Sequence, residues 1–230
     1  MPPVHGWMTS HTLAGLKWDK NTIERVVRYI KEVDQIFGHN RGSCHRVRKY
    51  QDEFQKYGGK ICPFPGAELQ AAKFLAGACD FHIVDDEDRV WKYLGWTIHF
   101  IQDALCPEHI FPFQERLILF LREPHLSFMI YTLLVYGHRD WPKLVQNAPA
   151  IEITSPNDLR RKLQEAADWV YELPCSYRRN DGQSIIDPRI GKKLPFRGWD
   201  MSDKDIGMVL ERTSSLVKGA IGFVFADGRF

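Results

Sequence analysis

The sequence predicts an all-α fold, organised as a compact multi-helix bundle in a single domain over residues 1–230. Three observations predict it. Apolar residues recur at helical spacing, capping residues precede these segments, and proline or glycine follows them. No segment shows the apolar–polar alternation that is typical of a half-buried strand. A length of 230 residues suits one domain with a substantial core.

The first predicted helix begins after a polar lead-in over residues 1–10. Ser10 is a suitable N-cap for a helix that runs from His11 to about Trp18.

A second helix is expected to begin at Asn21 as its cap and to end at Gly38. Its apolar residues share one helical face: Ile23, Val26, Val27, Ile30 and Val33. Residues 39–45 are expected to form a loop, and the basic, aromatic segment after them is compatible with a helix to about Tyr57.

The middle of the chain predicts two further helices. Glycine and proline residues at 58–59 and 62–66 mark a break, and a helix is expected from about 68 to 78 or 81. The acidic cluster at 85–88 favours the start of the next helix, at about 88–105, although a cation site is the alternative interpretation.

The C-terminal half predicts apolar helices at 114–122 and 126–136, separated by Pro124. A further helix is expected from Asn157 to about Leu173. Residues 174–201, rich in Pro, Gly, Arg and Asp, are expected to be irregular. Ser202 and Asp205 resemble a capping box that begins a last helix, ending at about Phe225.

The stretch from Tyr93 to His109 carries the strongest functional signal. It contains the pattern H-x3-D-x5-H at His99, Asp103 and His109. Residues four apart on a helix are separated by about 40° around its axis, so His99 and Asp103 should share one face. Pro107 should end the helix and let His109 fold back toward them. Imidazole and carboxylate are ligands that zinc accepts, so the pattern predicts a metal site.

The flanks of this pattern allow two interpretations. Gly95, one turn before His99, is expected to leave room for a metal or a substrate. The alternative is a buried helix whose histidines are satisfied core residues. The neighbouring aromatic side chains favour core packing.

A basic run lies earlier in the chain, at Arg46, Arg48 and Lys49. It is expected to form a solvated face or to contact phosphate.

Residues 94–109, LGWTIHFIQDALCPEH, resemble the L-G-x3-H-x3-D-x3-P-x-H signature of bacterial zinc-dependent phospholipases C. Fungal and plant single-strand nucleases share the fold and the trinuclear zinc site of these enzymes. The resemblance is tight over residues 73–109 and extends back to His11. It implies an all-helical fold whose zinc ions, two or three in number, activate water to hydrolyse a phosphate ester.

The resemblance also implies roles for individual residues. The first His and the Asp of the signature bind one zinc, the Asp bridges to a second, and the last His serves the remaining zinc. His45, in a Ser-Cys-His run followed by KFLAG, is similar to a ligand in the family's S-H segment. Asp34 corresponds to a carboxylate that binds zinc and orients the attacking water.

The N-terminal ligands differ from the family pattern. His11 opens the first predicted helix, as a zinc-binding histidine does in the family. In the relatives a mature N-terminal Trp also binds zinc, whereas Trp7 is internal unless cleavage follows Gly6. The resemblance therefore allows His5 to serve as the extra ligand.

A second departure follows His109, where the family has a further H-x3-E or H-x3-D. His125 is followed at that offset by Met129, so the pattern is not met. Glu115 could supply the carboxylate and His125 the imidazole. Otherwise the zinc served by His109 is bound differently, or the centre holds only two ions.

Composition narrows the choice of partners. A formal net charge of +2 provides no overall field that would recruit nucleic acid or an anionic membrane.

No run approaches the roughly 18 apolar residues of a transmembrane helix, and the N-terminus lacks the features of a secretory signal. The five cysteines form no C-x2-C pair and predict no disulfide framework. We expect a cytoplasmic protein, or a secreted one if the true N-terminus lies upstream.

The predicted function is that of a zinc-dependent phosphoric ester hydrolase of phospholipase C type, with a phospholipid head group as the expected substrate. Two alternatives stay open. One is a single-strand nuclease or nucleotidase that uses the same site on nucleic acid. The other is a non-catalytic metal-binding helical protein.

Overall fold

Apart from one pair of two-residue strands, the computed structural model is helical over the part of the chain that it describes, which confirms the all-α class. It describes residues 3–33, 35–36, 45–50, 65–110, 140–173, 185–186, 193–194 and 203–226. The helices are α1 (Pro3–Gly15), α2 (Lys20–Val33), α3 (Ala67–Ile83), α4 (Glu87–Ala104), α5 (Pro107–Ile110), α6 (Trp141–Asn147), α7 (Pro156–Glu172) and α8 (Asp203–Val224). Two-residue strands β1 (Ile185–Ile186) and β2 (Lys193–Leu194) pair antiparallel, with Ile185 opposite Leu194.

Helix α4 lies at the centre of the bundle and packs most extensively against α3 and α2. Its apolar side chains contribute fully buried residues to the core: Leu94, Ile98, Phe100, Ile101 and Ala104. A helix that is apolar around most of its circumference must be enclosed by neighbours, which explains its central position. It carries His99 and Asp103 into the interior.

The start of α4 confirms the interpretation of the acidic cluster as a helix start. Asp86 caps the helix by accepting a hydrogen bond from the backbone N–H of Arg89 at 3.2 Å. Arg25 on α2 forms ion pairs with Glu87 at 2.8 Å and with Asp88 at 2.9 Å. These carboxylates therefore join α2 to the N-terminus of α4.

Gly95 has a different role from the one predicted. A Cβ atom at this position would lie 2.7 Å from Cβ of Tyr29 and 3.2 Å from the carbonyl oxygen of Val26. The missing side chain is thus needed for the close approach of α2 to α4. The space next to Gly95 is filled by α2 and is not available to a metal or a substrate.

The boundaries of the first two helices also differ from the prediction. Helix α1 begins at Pro3, and the hydroxyl of Ser10 donates to the carbonyl of Gly6 inside the helix at 2.7 Å. Helix α2 is capped by Asp19, whose Oδ1 accepts from the backbone N–H of Asn21 at 2.9 Å. Serine and asparagine resemble caps in sequence, but proline at a helix start and an aspartate two residues upstream determine these ends.

Helices α3, α4, α7 and α8 confirm the predicted helices in the middle and at the end of the chain, to within a few residues. Helix α6 and the β1–β2 pair were not predicted. The predicted helices at 114–122 and 126–136, and the boundary at Gly38, lie outside the described residues. Among the helices that are described, none combines the length and the apolar character needed to cross a membrane.

We predict different effects on the free energy of unfolding for two glycine substitutions in helices. Gly95→Ala should lower the free energy of unfolding by about 1–3 kcal/mol, because the added methyl group meets the backbone of α2. Gly222→Ala is the matched control, since a Cβ there meets nothing within 4 Å. It should leave stability unchanged or raise it by up to about 1 kcal/mol. Urea denaturation measures both effects, and equal effects of the two variants would contradict the packing role of Gly95.

A second prediction concerns pH and the start of α7. Hydrogen bonding from the backbone N–H of Thr154, with further contributions from Lys162 and Arg161, holds the pKa of Asp158 well below its usual range. A carboxylate with a lowered pKa stabilises the fold above the unfolded-state pKa of about 3.9, and the effect disappears as the pH falls below it. Asp158→Asn should therefore cost about 1 kcal/mol or less at pH 7, and the difference from wild type should shrink toward pH 3.

The control for this prediction is Ser155→Ala. The Ser155 hydroxyl caps α7 by accepting from the N–H of Asp158 at 3.0 Å. Its loss should cost about 1 kcal/mol at both pH values, because no charge is removed. Urea unfolding at each pH tests both variants. A cost of Asp158→Asn that grows as the pH falls would be the wrong sign for a lowered pKa.

Candidate metal centre

His99 and Asp103 lie one turn apart on α4 and face the same interior space. The Nε2 atom of His99 is 2.9 Å from Oδ2 of Asp103, and each residue is only 1% exposed. The spacing of four residues places both side chains on one helix face, as predicted. The first part of the motif therefore forms a buried imidazole–carboxylate pair.

His109 returns to this pair because the chain turns sharply after α4. The helix ends at Ala104, and the N–H of Cys106 donates to the carbonyl of Asp103 at 3.1 Å. Pro107 then begins the short helix α5. This turn brings Nε2 of His109 to 3.4 Å from Oδ1 of Asp103, which confirms the predicted fold-back.

Two more histidines reach Asp103 from distant parts of the sequence. His5 on α1 places its Nε2 atom 3.2 Å from Oδ1 of Asp103. His45 places its Nδ1 atom 2.5 Å from Oδ2. The two imidazoles are 7% and 3% exposed respectively. Four histidines from four segments thus surround one carboxylate, which we call the Asp103 cluster (His5, His45, His99, Asp103 and His109).

The electrostatics of the cluster favour an ionised carboxylate. Burial by itself would raise the pKa of Asp103. Electrostatic interaction with His99 and His45, together with hydrogen bonds from His109 and His45, reverses this effect and holds the pKa well below its usual range. These contacts therefore favour the ionised form of Asp103, although the side chain is buried.

The donor set suits a divalent metal ion. Ligand atoms of His5, His99 and Asp103 all lie within 4.8 Å of one another, and all three residues are buried. Imidazole nitrogen and carboxylate oxygen are the ligands that zinc takes in proteins, at about 2.0–2.2 Å. Two such ligands of one tetrahedral ion are about 3.3 Å apart, close to the 3.2 Å between His5 Nε2 and Asp103 Oδ1. The residues present therefore fit zinc.

Arg46 fixes the segment that carries His45. Its side chain is fully buried, and Nη1 donates to the carbonyl of His109 at 2.6 Å. Its own carbonyl accepts from the N–H of Ala67 at the start of α3 at 2.7 Å. The expectation of a solvated basic face is therefore wrong for Arg46, which links two histidine-bearing segments to each other. Lys49 does match the expectation of a solvated position, since its side chain is 60% exposed and pairs with Asp168.

Glu68 on α3 holds the same segment from another side. Its carboxylate is fully buried and accepts from the backbone N–H of Arg48 at 3.1 Å. Burial raises the pKa of Glu68. Glu68 and Arg46 together attach the stretch after His45 to α3 and α5.

His11 does not join the Asp103 cluster. Its Nδ1 atom lies 3.0 Å from Nε2 of Gln146, and its ring packs edge-on against Trp7 at 4.8 Å. His11 follows His5 by six residues, which corresponds to a rotation of about 120° and a rise of about 9 Å along a helix. The two side chains of α1 therefore point in different directions, and the structure supports His5, not His11, at this site.

Three predicted site residues lie outside the part of the chain that the structure describes: Asp34, Glu115 and His125. Asp34 as the residue that orients water, and Glu115 and His125 as ligands of a further zinc, remain predictions.

Comparison with protein-family models, with curated proteins and with solved structures finds no match to this chain.

Two residues of the site were not predicted. Arg46 follows His45 directly, and Gln102 precedes Asp103 directly and reaches toward α1. A helical projection of α4 places Gln102 within about 60° of His99, so the sequence does indicate that Gln102 lies near the site. Its partner on α1 could not be identified, because the prediction treated residues 1–10 as a lead-in without helix.

We predict that the two histidines of α1 differ in their effect on metal binding. His5→Ala should weaken zinc binding at least about tenfold, because it removes a nitrogen next to Asp103. His11→Ala, the matched control on the same helix, should bind zinc as wild type does. Calorimetric titration of the metal-free protein with Zn²⁺ measures both affinities. The reverse ranking would show that the site is built around His11.

Proposed function

We propose that the chain is a zinc-dependent phosphoric ester hydrolase of phospholipase C type. The observation that carries this proposal is the convergence of His5, His45, His99 and His109 on the ionised carboxylate of Asp103. The signature-like spacing of residues 94–109 also supports it. Both observations include His99, Asp103 and His109, and the geometry adds His5 and His45.

The histidines of the cluster and Asp103 would hold the metal. Zinc bound there would supply Lewis acidity and lower the pKa of a water molecule for attack on a phosphodiester. The contribution of the protein is to keep the ligands fixed and to keep Asp103 charged. Asp34 is proposed to orient the attacking water.

The proposed substrate is a phosphodiester of a phospholipid head group. The near-neutral overall charge of +2 does not favour a polyanion such as nucleic acid, which usually requires a strongly basic surface. A single-strand nuclease remains a proposal of the same mechanism with a different substrate. Release of phosphorylated head group from lipid vesicles, compared with cleavage of single-stranded DNA, distinguishes the two.

One observation favours a second candidate function, that of a non-catalytic metal-binding protein. The members of the cluster are between 1% and 7% exposed. Structural zinc sites are closed by protein ligands, whereas catalytic sites keep one position open for water or substrate. A closed cluster of this kind would stabilise the fold when metal is bound and would hydrolyse nothing.

The test begins with the metal content of the purified protein and a chromogenic phosphodiester assay. His99→Ala and Asp103→Asn should each lose bound zinc and reduce hydrolysis by at least about 100-fold, since each removes a ligand at the centre of the cluster. His82→Ala is the matched control. This histidine is also buried, at 7% exposure, but it packs against Phe225 outside the cluster. It should keep its zinc and its activity.

Chelation separates the two candidate functions. Removal of zinc should lower the melting temperature in both cases, because metal bound only by the folded state adds stability. Chelator-sensitive hydrolysis supports the enzyme, and zinc binding without hydrolysis supports the structural alternative. A protein that binds no zinc and melts unchanged in chelator would refute both.

A further inference from the structure

Gln102 connects the cluster to α1 through three contacts. Its Oε1 atom lies 2.6 Å from Nδ1 of His5, and its Nε2 atom lies 2.8 Å from the hydroxyl oxygen of Thr9. The same Nε2 atom lies 3.4 Å from the carbonyl oxygen of His5. The side chain is 5% exposed, so these contacts form in the interior.

The backbone carbonyl of His5 determines the orientation of the Gln102 side-chain amide. The carbonyl oxygen of His5 can only accept a hydrogen bond, so the amide atom that faces it must be the NH₂ group. The oxygen of the amide consequently faces Nδ1 of His5. Because an amide oxygen is also only an acceptor, Nδ1 of His5 must be the nitrogen that carries the hydrogen.

This hydrogen determines what the other ring nitrogen presents to the cluster. A neutral imidazole with hydrogen on Nδ1 has its lone pair on Nε2, the atom that lies 3.2 Å from Oδ1 of Asp103. Two acceptor atoms so close together require a proton or a cation between them. The ring of His5 is thereby held with its ligating nitrogen toward the carboxylate, and its stacking on His99 at 4.8 Å supports the same orientation.

We infer that Gln102 is a positioning residue, which fixes the tautomer and the ring orientation of His5 for metal binding. The inference rests on the proposed function as far as the metal is concerned. Residues that accept from the distal N–H of a metal-binding histidine orient the ring and raise its basicity, and their loss typically weakens metal binding about 10–100-fold. Gln102 performs this function from α4, while Thr9 holds the amide in place from α1.

The experiment uses the full chain and three variants. Gln102→Met removes the acceptor while keeping the length of the side chain. Gln102→Glu keeps an oxygen that can accept from Nδ1 of His5. Thr97→Val is the matched control, because Thr97 is a buried polar residue of the same helix whose hydroxyl bonds only to the carbonyl of Tyr93.

Two readouts are measured at pH 8: zinc affinity by calorimetry, and the tautomer of His5 by ¹⁵N NMR of the imidazole nitrogens. Gln102→Met should raise the zinc Kd about 10–100-fold. It should also remove the hydrogen-bonded Nδ1–H signal of His5. Gln102→Glu should retain that signal and bind zinc more tightly than Gln102→Met, and Thr97→Val should match wild type in both readouts.

Three results would overturn the inference. The first is an unchanged His5 tautomer in Gln102→Met, and the second is an unchanged zinc Kd in that variant. The third is an equal loss of zinc affinity in the Met and Glu variants, which would indicate an effect of packing alone.

Failure of the proposed function would give a different result. If wild type binds no zinc, the proposed function fails, and the His5 tautomer in the metal-free protein still decides for or against Gln102. Circular dichroism tests whether each variant is folded. If Gln102→Met is unfolded, Gln102→Glu becomes the test variant. Loss of the Nδ1–H signal of His5 in Gln102→Glu would then count against the inference.

Discussion

The structure depends on one buried negative charge, the carboxylate of Asp103. An ionised carboxylate in a protein interior is costly unless several donors or cations surround it. Here four imidazoles lie around it, at distances between 2.5 and 3.4 Å, and those of His45 and His109 form hydrogen bonds with it. Because these imidazoles come from α1, the segment at 45, α4 and α5, the requirement to satisfy one charge ties four parts of the chain together.

Helix α4 can carry this charge because its surroundings are built for close packing. Its first turn is held to α2 by the ion pairs of Arg25, and Gly95 lets the α2 backbone approach closely. Further contacts hold individual histidines in place. Arg46 bonds to the carbonyl of His109, and Gln102 bonds to His5. Arg46 thus supports the segment of His109, and Gln102 supports the ring of His5, through contacts that do not involve Asp103.

The local features of the fold were predictable and the long-range ones were not. The spacing of His99 and Asp103 and the break at Pro107 involve near neighbours in sequence, and the helix α4 with its turn was confirmed. Gly95 illustrates the opposite case, because its role depends on Tyr29 of another helix. Helix α6 was missed for a similar reason. Its carbonyls at 145, 146 and 148 are bonded by Ser214 and Lys218 of α8, so its end is determined by tertiary contacts.

The choice between His5 and His11 shows how a family-like pattern and the physical environment can disagree. The pattern favoured the histidine that opens a predicted helix, but α1 begins earlier and both residues lie within it. On one helix, the side chain that reaches α4 is selected by rotation, and the Nδ1 atom of His5 also meets the amide oxygen of Gln102 on α4. His11 meets Gln146, whose neighbours contact α8, so it belongs to the contact between α1 and α6. A ligand set carried over by position alone would have placed His11 at the proposed metal centre, whereas the contacts with Asp103 and Gln102 place His5 there.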